Sequence, residues 1–121
     1  MEKYQLGEME ARFADLIWER VPVASGELVY LCAEAFNWKK STTYTMLHRL
    51  CDRGIFSNED SIITARMSRD EFYAAQGAQL IDEAFSGSLP RFLAAFTRRS
   101  RLSEREIAEL ETMIEAYKKG E

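Results

Sequence analysis

The sequence has little of what disulfide-bonded or zinc-binding proteins require. It contains two cysteines and one histidine, and no Cys-x-x-Cys pair occurs, whereas a closed zinc site takes four such ligands. Cys32 and Cys51 each lie among apolar residues in stretches with helical spacing. This setting favours two reduced, buried thiols over a disulfide or a metal role. We therefore expect neither a metal site nor a cofactor.

Long apolar runs are also absent, and no segment has the length needed to cross a bilayer. The first ten residues, MEKYQLGEME, have no signal-peptide character. We therefore expect a cytoplasmic protein without membrane insertion. A chain of 121 residues, 46% hydrophobic and 30% charged, suits one globular domain or a small domain with an appended element.

Positive charge is in the minority, because the net charge is −4, and this argues mildly against a nucleic-acid partner. Phosphate contacts, however, depend on where the cations lie rather than on their sum. Residues 38–54 carry four cations against one acid, and residues 91–105 carry five arginines against one glutamate. These two basic segments are candidate phosphate-binding patches, although each also fits an ordinary solvated face.

The spacing of apolar residues in the first half predicts three helices followed by a hairpin. The first helix covers residues 8–20, Ser25 caps the second, Ser41 caps the third, and Gly54 follows the third. Apolar residues then flank a turn-rich centre, Asn58-Glu59-Asp60, which predicts a short hairpin. Three helices and a hairpin in this order are typical of a winged helix-turn-helix.

The second half changes to helices that carry apolar stripes. Ser68 with Glu71 and Ser103 with Glu106 have capping-box spacing, and Gly87-Ser88 separates two helices. These helices are too few to enclose a core, so we expect a second copy to cover them, with folding back onto the first half as the alternative. The candidate dimerisation residues are Leu89, Phe92, Leu93, Phe96, Ile107, Leu110, Ile114 and Tyr117.

The third predicted helix has the features of a recognition helix. Basic residues and hydroxyls lie at its start, where free amides and the helix dipole favour a phosphate. We expect Thr43 and Tyr44 to lie on the exposed side of its first turns, where side chains meet base edges. A capped amphipathic helix with a threonine-rich polar face is the alternative. The candidate DNA-binding residues are Lys39, Lys40, Ser41, Thr42, Thr43, Tyr44, Thr45, His48 and Arg49.

Four blocks resemble the penicillinase-repressor family in the right order. They are LGEMEARFADLIW, VASGEL, TTYTMLHRLCDRG and FSGSLPRFLAAF followed by LSEREIAELETMIE. The resemblance implies a mainly α protein with a small β-hairpin wing: a winged helix-turn-helix DNA-binding domain at 1–67 and a helical dimerisation domain at 68–121. It also implies a homodimeric transcriptional repressor, not an enzyme, which binds a palindromic double-stranded DNA operator.

The better-known members of that family are cleaved by a membrane-bound sensor metallopeptidase, which relieves repression. Their cleaved bond joins an asparagine to a phenylalanine, and the matching pair here is Ala95-Phe96. Acids occupy the hairpin tip, where the family commonly carries a glycine and a basic residue. The paired Cys-x-Cys motifs of the copper-responsive branch are missing, so copper sensing by that route is not expected.

Two other classes of function remain open from the sequence. A winged-helix protein-interaction module that has lost DNA binding would fit the acidic hairpin and the net negative charge. A metal or thiol switch at His48 and Cys51, three residues apart, is a weaker alternative to a groove-side histidine and a core cysteine. An enzyme is poorly supported, because catalysis needs converging titratable groups and the single histidine lies on the predicted recognition helix.

Overall fold

The computed structural model of the chain describes residues 4–120, which form six helices and three strands. The helices are α1 (Glu8–Arg20), α2 (Ser25–Phe36), α3 (Lys40–Asp52), α4 (Arg69–Ala84), α5 (Leu89–Arg99) and α6 (Glu104–Lys118). The strands are β1 (Val23–Ala24), β2 (Phe56–Glu59) and β3 (Ile62–Ala65). This order confirms the predicted fold class, mainly helical with a small β-hairpin wing.

The chain divides into two compact units, an N-terminal unit that ends at Gln79 and a C-terminal unit that begins at Leu80. The division falls within α4. The assignment of DNA binding to residues 1–67 and of dimerisation to residues 68–121 concerns function, and it stays a prediction.

The N-terminal unit has a continuous apolar core to which each of its helices contributes. Phe13 and Ile17 come from α1, Leu28 from α2 and Leu50 from α3, and all four side chains are fully buried. The hairpin and α4 complete the core through Phe56, Ile63 and Phe72. Because this burial removes large apolar side chains from water at about 1.5–3 kcal/mol each, the core fixes the orientation of the helices that form the site.

Trp18 joins α1 to the hairpin and to α4. Its ring lies 5.3 Å from that of Phe56 and 5.7 Å from that of Phe72 between centroids. The indole Nε1 donates a hydrogen bond to the carbonyl oxygen of Met67 at 3.0 Å. The one polar atom of this side chain is thus satisfied while its rings pack, as a partly buried tryptophan requires.

The sheet is antiparallel, with β3 between β1 and β2. Sequence patterning missed β1, because two residues are too few to show an alternation. The predicted hairpin is present, but its predicted centre is wrong. Asn58 and Glu59 belong to β2, and the turn is Asp60-Ser61, whose φ angles of 52° and 64° are those of a two-residue turn that matches strand twist.

Two predicted N-caps are wrong by one or two residues. The cap of α2 is Ala24 rather than Ser25, since the Ser25 amide donates to the Ser61 carbonyl at 2.9 Å and its side chain is buried. The cap of α3 is Lys39 rather than Ser41, because Trp38 packs on Phe36, with centroids 4.9 Å apart, and the helix starts two residues after it, at Lys40.

The C-terminal end of α3 follows the prediction. Gly54 lies just past the helix with φ +81°, a value that glycine adopts without strain. Its amide donates to the Cys51 carbonyl at 2.9 Å, and the next amide, of Ile55, donates to the Leu50 carbonyl at 3.1 Å. These two bonds satisfy carbonyls at the helix end and aim the chain into β2.

The C-terminal unit consists of the end of α4 with α5 and α6. Ser88 caps α5 by accepting a bond from the Arg91 amide at 3.1 Å. The predicted capping box of α6 is confirmed, with Ser103 and Glu106 exchanging two bonds of 3.0 Å. Although the ends are well capped, neither α5 nor α6 contains a buried residue.

Candidate nucleic-acid interface

Helices α2 and α3 are joined by three residues, Asn37 to Lys39. Asn37 ends α2 in the left-handed conformation, with φ 56° and ψ 38°, which asparagine tolerates better than most residues. The Trp38 ring then packs on Phe13, with centroids 5.3 Å apart. The short turn and its half-buried tryptophan give the connection of a helix-turn-helix motif.

The first turn of α3 differs electrostatically from those of most other helices in the chain. Helices α1, α2, α4 and α6 carry an acid in the first turn, whereas α3 has none, begins with Lys40 and has Lys39 as its N-cap. An acid at a helix N-terminus stabilises the helix by about 0.3–1 kcal/mol through the helix dipole. A cation at the same place destabilises it by a similar amount. The start of α3 also has no side-chain cap. Cations and uncapped amides therefore meet at one point, which is suited to an anion.

One face of α3 is polar and exposed. Ser41, Thr45 and His48 follow each other at steps of four and three residues, and all three are exposed. Thr42 adjoins them and is half-buried, while Arg49 is exposed and lies one turn after Thr45. The structure therefore places four of the predicted DNA-binding residues, Ser41, Thr45, His48 and Arg49, on one exposed face of the helix, with the half-buried Thr42 at its edge and the exposed Lys40 at the helix start.

The predicted exposure of Thr43 is wrong. Its side chain is 1% exposed, and within residues 4–120 its Oγ1 makes no hydrogen bond of ordinary geometry. It lies beside the buried thiol of Cys32, where burial raises the pKa of Cys32 and the Thr43 hydroxyl partly offsets the rise. Because α3 turns this position toward α2, Thr43 is unavailable to a base.

Tyr44 is half-buried against the core, so its predicted exposed position is also only partly met. It lies three residues before Leu47, whose side chain is buried, and helical geometry turns both toward the interior. His48 is 77% exposed and its Nε2 lies 3.2 Å from the Asp52 carboxylate. Asp52 is the one acid on the exposed side of the helix.

The wing carries acid close to its tip. Asp60 is the first turn residue, and Glu59 precedes it at the end of β2. The Glu59 Oε1 accepts a hydrogen bond from the Ser57 hydroxyl at 3.1 Å, which holds this carboxylate along the strand. Both acids are exposed, so the tip repels phosphate.

Arg53 is a structural residue of this site that sequence reasoning missed. It is the C-cap of α3, and its Nη1 lies 3.8 Å from the Glu10 carboxylate of α1. Its guanidinium also donates to the Gln5 carbonyl oxygen. The end of α3 is thereby tied to the start of α1. No signal in the sequence joins positions 10 and 53, which meet only through the fold.

The predicted dimerisation residues form apolar faces on α5 and α6. Leu89, Phe96, Ile107, Ile114 and Tyr117 are exposed by 41–84% within the single chain, and Phe92, Leu93 and Leu110 are half-buried. Within α5, the rings of Phe92 and Phe96 stack with centroids 5.9 Å apart. Such contiguous apolar surface is uncommon on a protein that acts alone.

Comparison with protein families gives a match over most of the chain. A family model described as penicillinase repressor matches residues 6–116. No curated protein matches the sequence significantly. Over residues 4–120, the structure contains no helix with the length and apolar character needed to cross a membrane.

Proposed function

Because the chain belongs to the penicillinase repressor family, whose members are DNA-binding transcriptional regulators rather than enzymes, we propose that it represses transcription as a homodimer on a palindromic operator. The observation that carries the proposal is the start of α3. Lys39 and Lys40 oppose the helix dipole there, no acid or side-chain cap compensates, and a phosphate would satisfy both the cations and the amides.

The remaining α3 residues take two roles in this proposal. Lys39, Lys40 and Ser41 hold the backbone phosphates, and Arg49 adds a guanidinium further along the helix. Thr45 and His48 face the base edges, with Thr42 beside them. A threonine offers both a hydrogen-bonding oxygen and a methyl group that can rest on a thymine methyl. Thr43 takes no part because it is buried.

Dimerisation supplies the affinity that one winged helix lacks. The apolar faces of α5 and α6 need a partner, and a second copy provides an identical pair of faces. Two linked recognition helices then bind two half-sites, and the second binding event becomes intramolecular, which raises affinity by about 10²–10⁴. The expected operator is therefore an inverted repeat with half-sites about one helical turn, or a multiple of it, apart.

Proteolysis is a route to derepression only if α5 opens. The candidate bond, between Ala95 and Phe96, lies inside α5, seven residues after the helix begins. We propose that a membrane-bound sensor metallopeptidase, if it controls this repressor, acts on an unwound form of α5. Cutting this bond would remove α6 and part of the apolar face, and the loss of the dimer would release the operator.

One observation favours a second candidate function. The exposed acids at the wing tip, Glu59 and Asp60, repel phosphate. In a winged-helix module that binds a protein instead of DNA, this repulsion would not weaken binding. In that case the exposed polar face of α3 would meet a protein partner rather than DNA.

The test is to incubate the purified protein with fragmented genomic DNA at near-physiological salt and to sequence the retained fragments. The proposed function expects a few enriched fragments that share an inverted repeat. Uniform weak retention or no retention would overturn it and favour the interaction module. A parallel selection with a Lys39→Gln/Lys40→Gln variant should retain little DNA, because it removes the cations at the start of α3.

A further inference from the structure

Five arginines of the C-terminal unit form what we term the arginine cluster: Arg91, Arg98, Arg99, Arg101 and Arg105. All five are exposed. Over residues 4–120, none of them forms an ion pair with a carboxylate. The acids nearest to Arg105 are Glu104, Glu106 and Glu109, and Glu106 is engaged in capping α6 through the Ser103 amide. The five arginines are therefore exposed cations that no carboxylate contacts directly within the described residues.

Helix stabilisation explains only part of the cluster. Arg98 and Arg99 lie in the last turn of α5, where a cation interacts favourably with the helix dipole. Arg91 and Arg105 instead lie in the first turns of α5 and α6, where a cation opposes the dipole. These two residues weaken their own helices, just as Lys39 and Lys40 weaken the start of α3.

Three members of the cluster, Arg91, Arg98 and Arg105, face away from the surface assigned to dimerisation. Arg91 and Arg98 are seven residues apart, and helical spacing puts both on the side of α5 opposite Leu89 and Phe96. The same spacing puts Arg105 on the side of α6 opposite Ile114. A dimer that buries the apolar faces would leave these arginines in solvent, free to bind an anion.

We propose that the arginine cluster is a second phosphate-binding surface, which contacts DNA outside the winged helix. The inference rests on the proposed function, which brings DNA to the protein. Arginine suits this role, because its planar fork binds phosphate oxygens in pairs. A protein partner would need an apolar anchor among the arginines, and around the four of them that lie in 97–105 the exposed residues are all polar or charged.

The test compares the full chain with an Arg91→Gln/Arg98→Gln/Arg105→Gln variant on a long duplex that carries the selected operator at its centre. Fluorescence anisotropy is measured over a series of salt concentrations. Removing one phosphate-binding cation lowers the slope of log affinity against log salt by about 0.9. Because both protomers contribute arginines, we expect the slope to fall by about 2 or more and affinity to fall roughly tenfold or more at physiological salt.

A matched control is Lys118→Gln/Lys119→Gln, which removes cations from the end of α6, where Lys118 is paired with Glu115 at 3.5 Å. For this control variant, the slope of log affinity against log salt should equal that of the wild type. Sedimentation checks that both variants remain dimers, and an Arg91→Lys/Arg98→Lys/Arg105→Lys variant should recover most of the slope.

The outcomes separate the inference from the function on which it rests. An unchanged slope in the glutamine variant, with the wild type still selecting the operator, would overturn the second surface and leave repression intact. A wild type that selects no sequence would overturn the proposed function itself. A reduced slope in the arginine variant alone, with unchanged preference for the operator over a scrambled duplex, supports the inference.

Discussion

The two units of the chain bury apolar surface in opposite ways. In the N-terminal unit, twelve hydrophobic residues form a buried core, whereas α5 and α6 bury none and expose side chains such as Ile114 and Tyr117 by 57% and 84%. The first unit therefore has a buried apolar core of its own. The second has helices whose apolar faces need another surface, so its stability should depend on protein concentration.

The largest effect on stability is expected from a cavity-forming substitution in the core of the N-terminal unit. Phe13 is fully buried, and Phe13→Ala should lower the free energy of unfolding by about 3–5 kcal/mol, because it removes buried apolar surface and leaves a cavity. Urea denaturation followed by tryptophan fluorescence measures it, because Trp18 and Trp38, the two tryptophans, both lie in this unit.

Tyr30→Ala is the matched control, since this aromatic ring belongs to the same unit but is 63% exposed. It should change the free energy of unfolding by no more than about 0.5 kcal/mol. If Phe13→Ala behaves like Tyr30→Ala, the N-terminal unit is not held together by the core described above.

The second prediction concerns the apolar face of α6. Ile114→Glu puts a charge on the apolar face of α6 that the proposed dimer buries, and should weaken self-association by about 100-fold or more. Affinity for the operator should fall with it, while the tryptophan-reported transition of the N-terminal unit stays unchanged. Sedimentation equilibrium and DNA titration measure the two quantities.

Thr112→Glu adds the same charge to the opposite side of α6. The exposed Thr112 hydroxyl donates only to the Ala108 carbonyl within its own helix, at 3.0 Å, so the dimer should persist. If the Ile114→Glu and Thr112→Glu dimers dissociate to the same extent, the charge of α6, and not its apolar face, governs association.

The third prediction separates two threonines of α3 that lie two residues apart. Thr45 is exposed, and Thr45→Ala should change base preference by about 1–3 kcal/mol if it contacts a base edge. Thr43→Val should not change base preference, and it should raise the free energy of unfolding by up to about 1 kcal/mol, because it removes a buried hydroxyl that makes no hydrogen bond of ordinary geometry. Base preference is measured by repeating the genomic selection, and stability by urea denaturation. Altered preference in Thr43→Val, with none in Thr45→Ala, would reverse the assignment of the helix faces.

Most of the fold could be predicted from local signals in the sequence. The bounds of α1, the capping box of α6 and the glycine after α3 depend on residues within one helical turn of each other, and all three are confirmed. The family match over residues 6–116 confirms the resemblance seen in four motif blocks. Capping and periodicity are local, so they can be recognised without tertiary structure.

What the sequence missed depends on contacts between distant residues. Thr43 looks like a surface residue by type, and only the packing of α2 against α3 buries it. Strand β1 has no pattern of its own and exists because Val23 pairs with Ile63. Arg53 reaches Glu10 and Gln5 across more than forty residues. Where tertiary packing overrides residue type, single-sequence reasoning assigns the wrong face or the wrong cap.

The smallest expected effect concerns the wing of the N-terminal unit. Glu59→Gln/Asp60→Asn removes two exposed acids while keeping side-chain size, and asparagine tolerates the positive φ of position 60. If the tip approaches phosphate, affinity for the operator should rise about two- to fivefold at low salt and less at high salt. Asp82→Asn/Glu111→Gln removes the same charge from exposed positions of the C-terminal unit and separates local repulsion from net charge. An equal gain in both variants would show that the wing acts only through the total charge, and no gain in either would place its tip away from DNA.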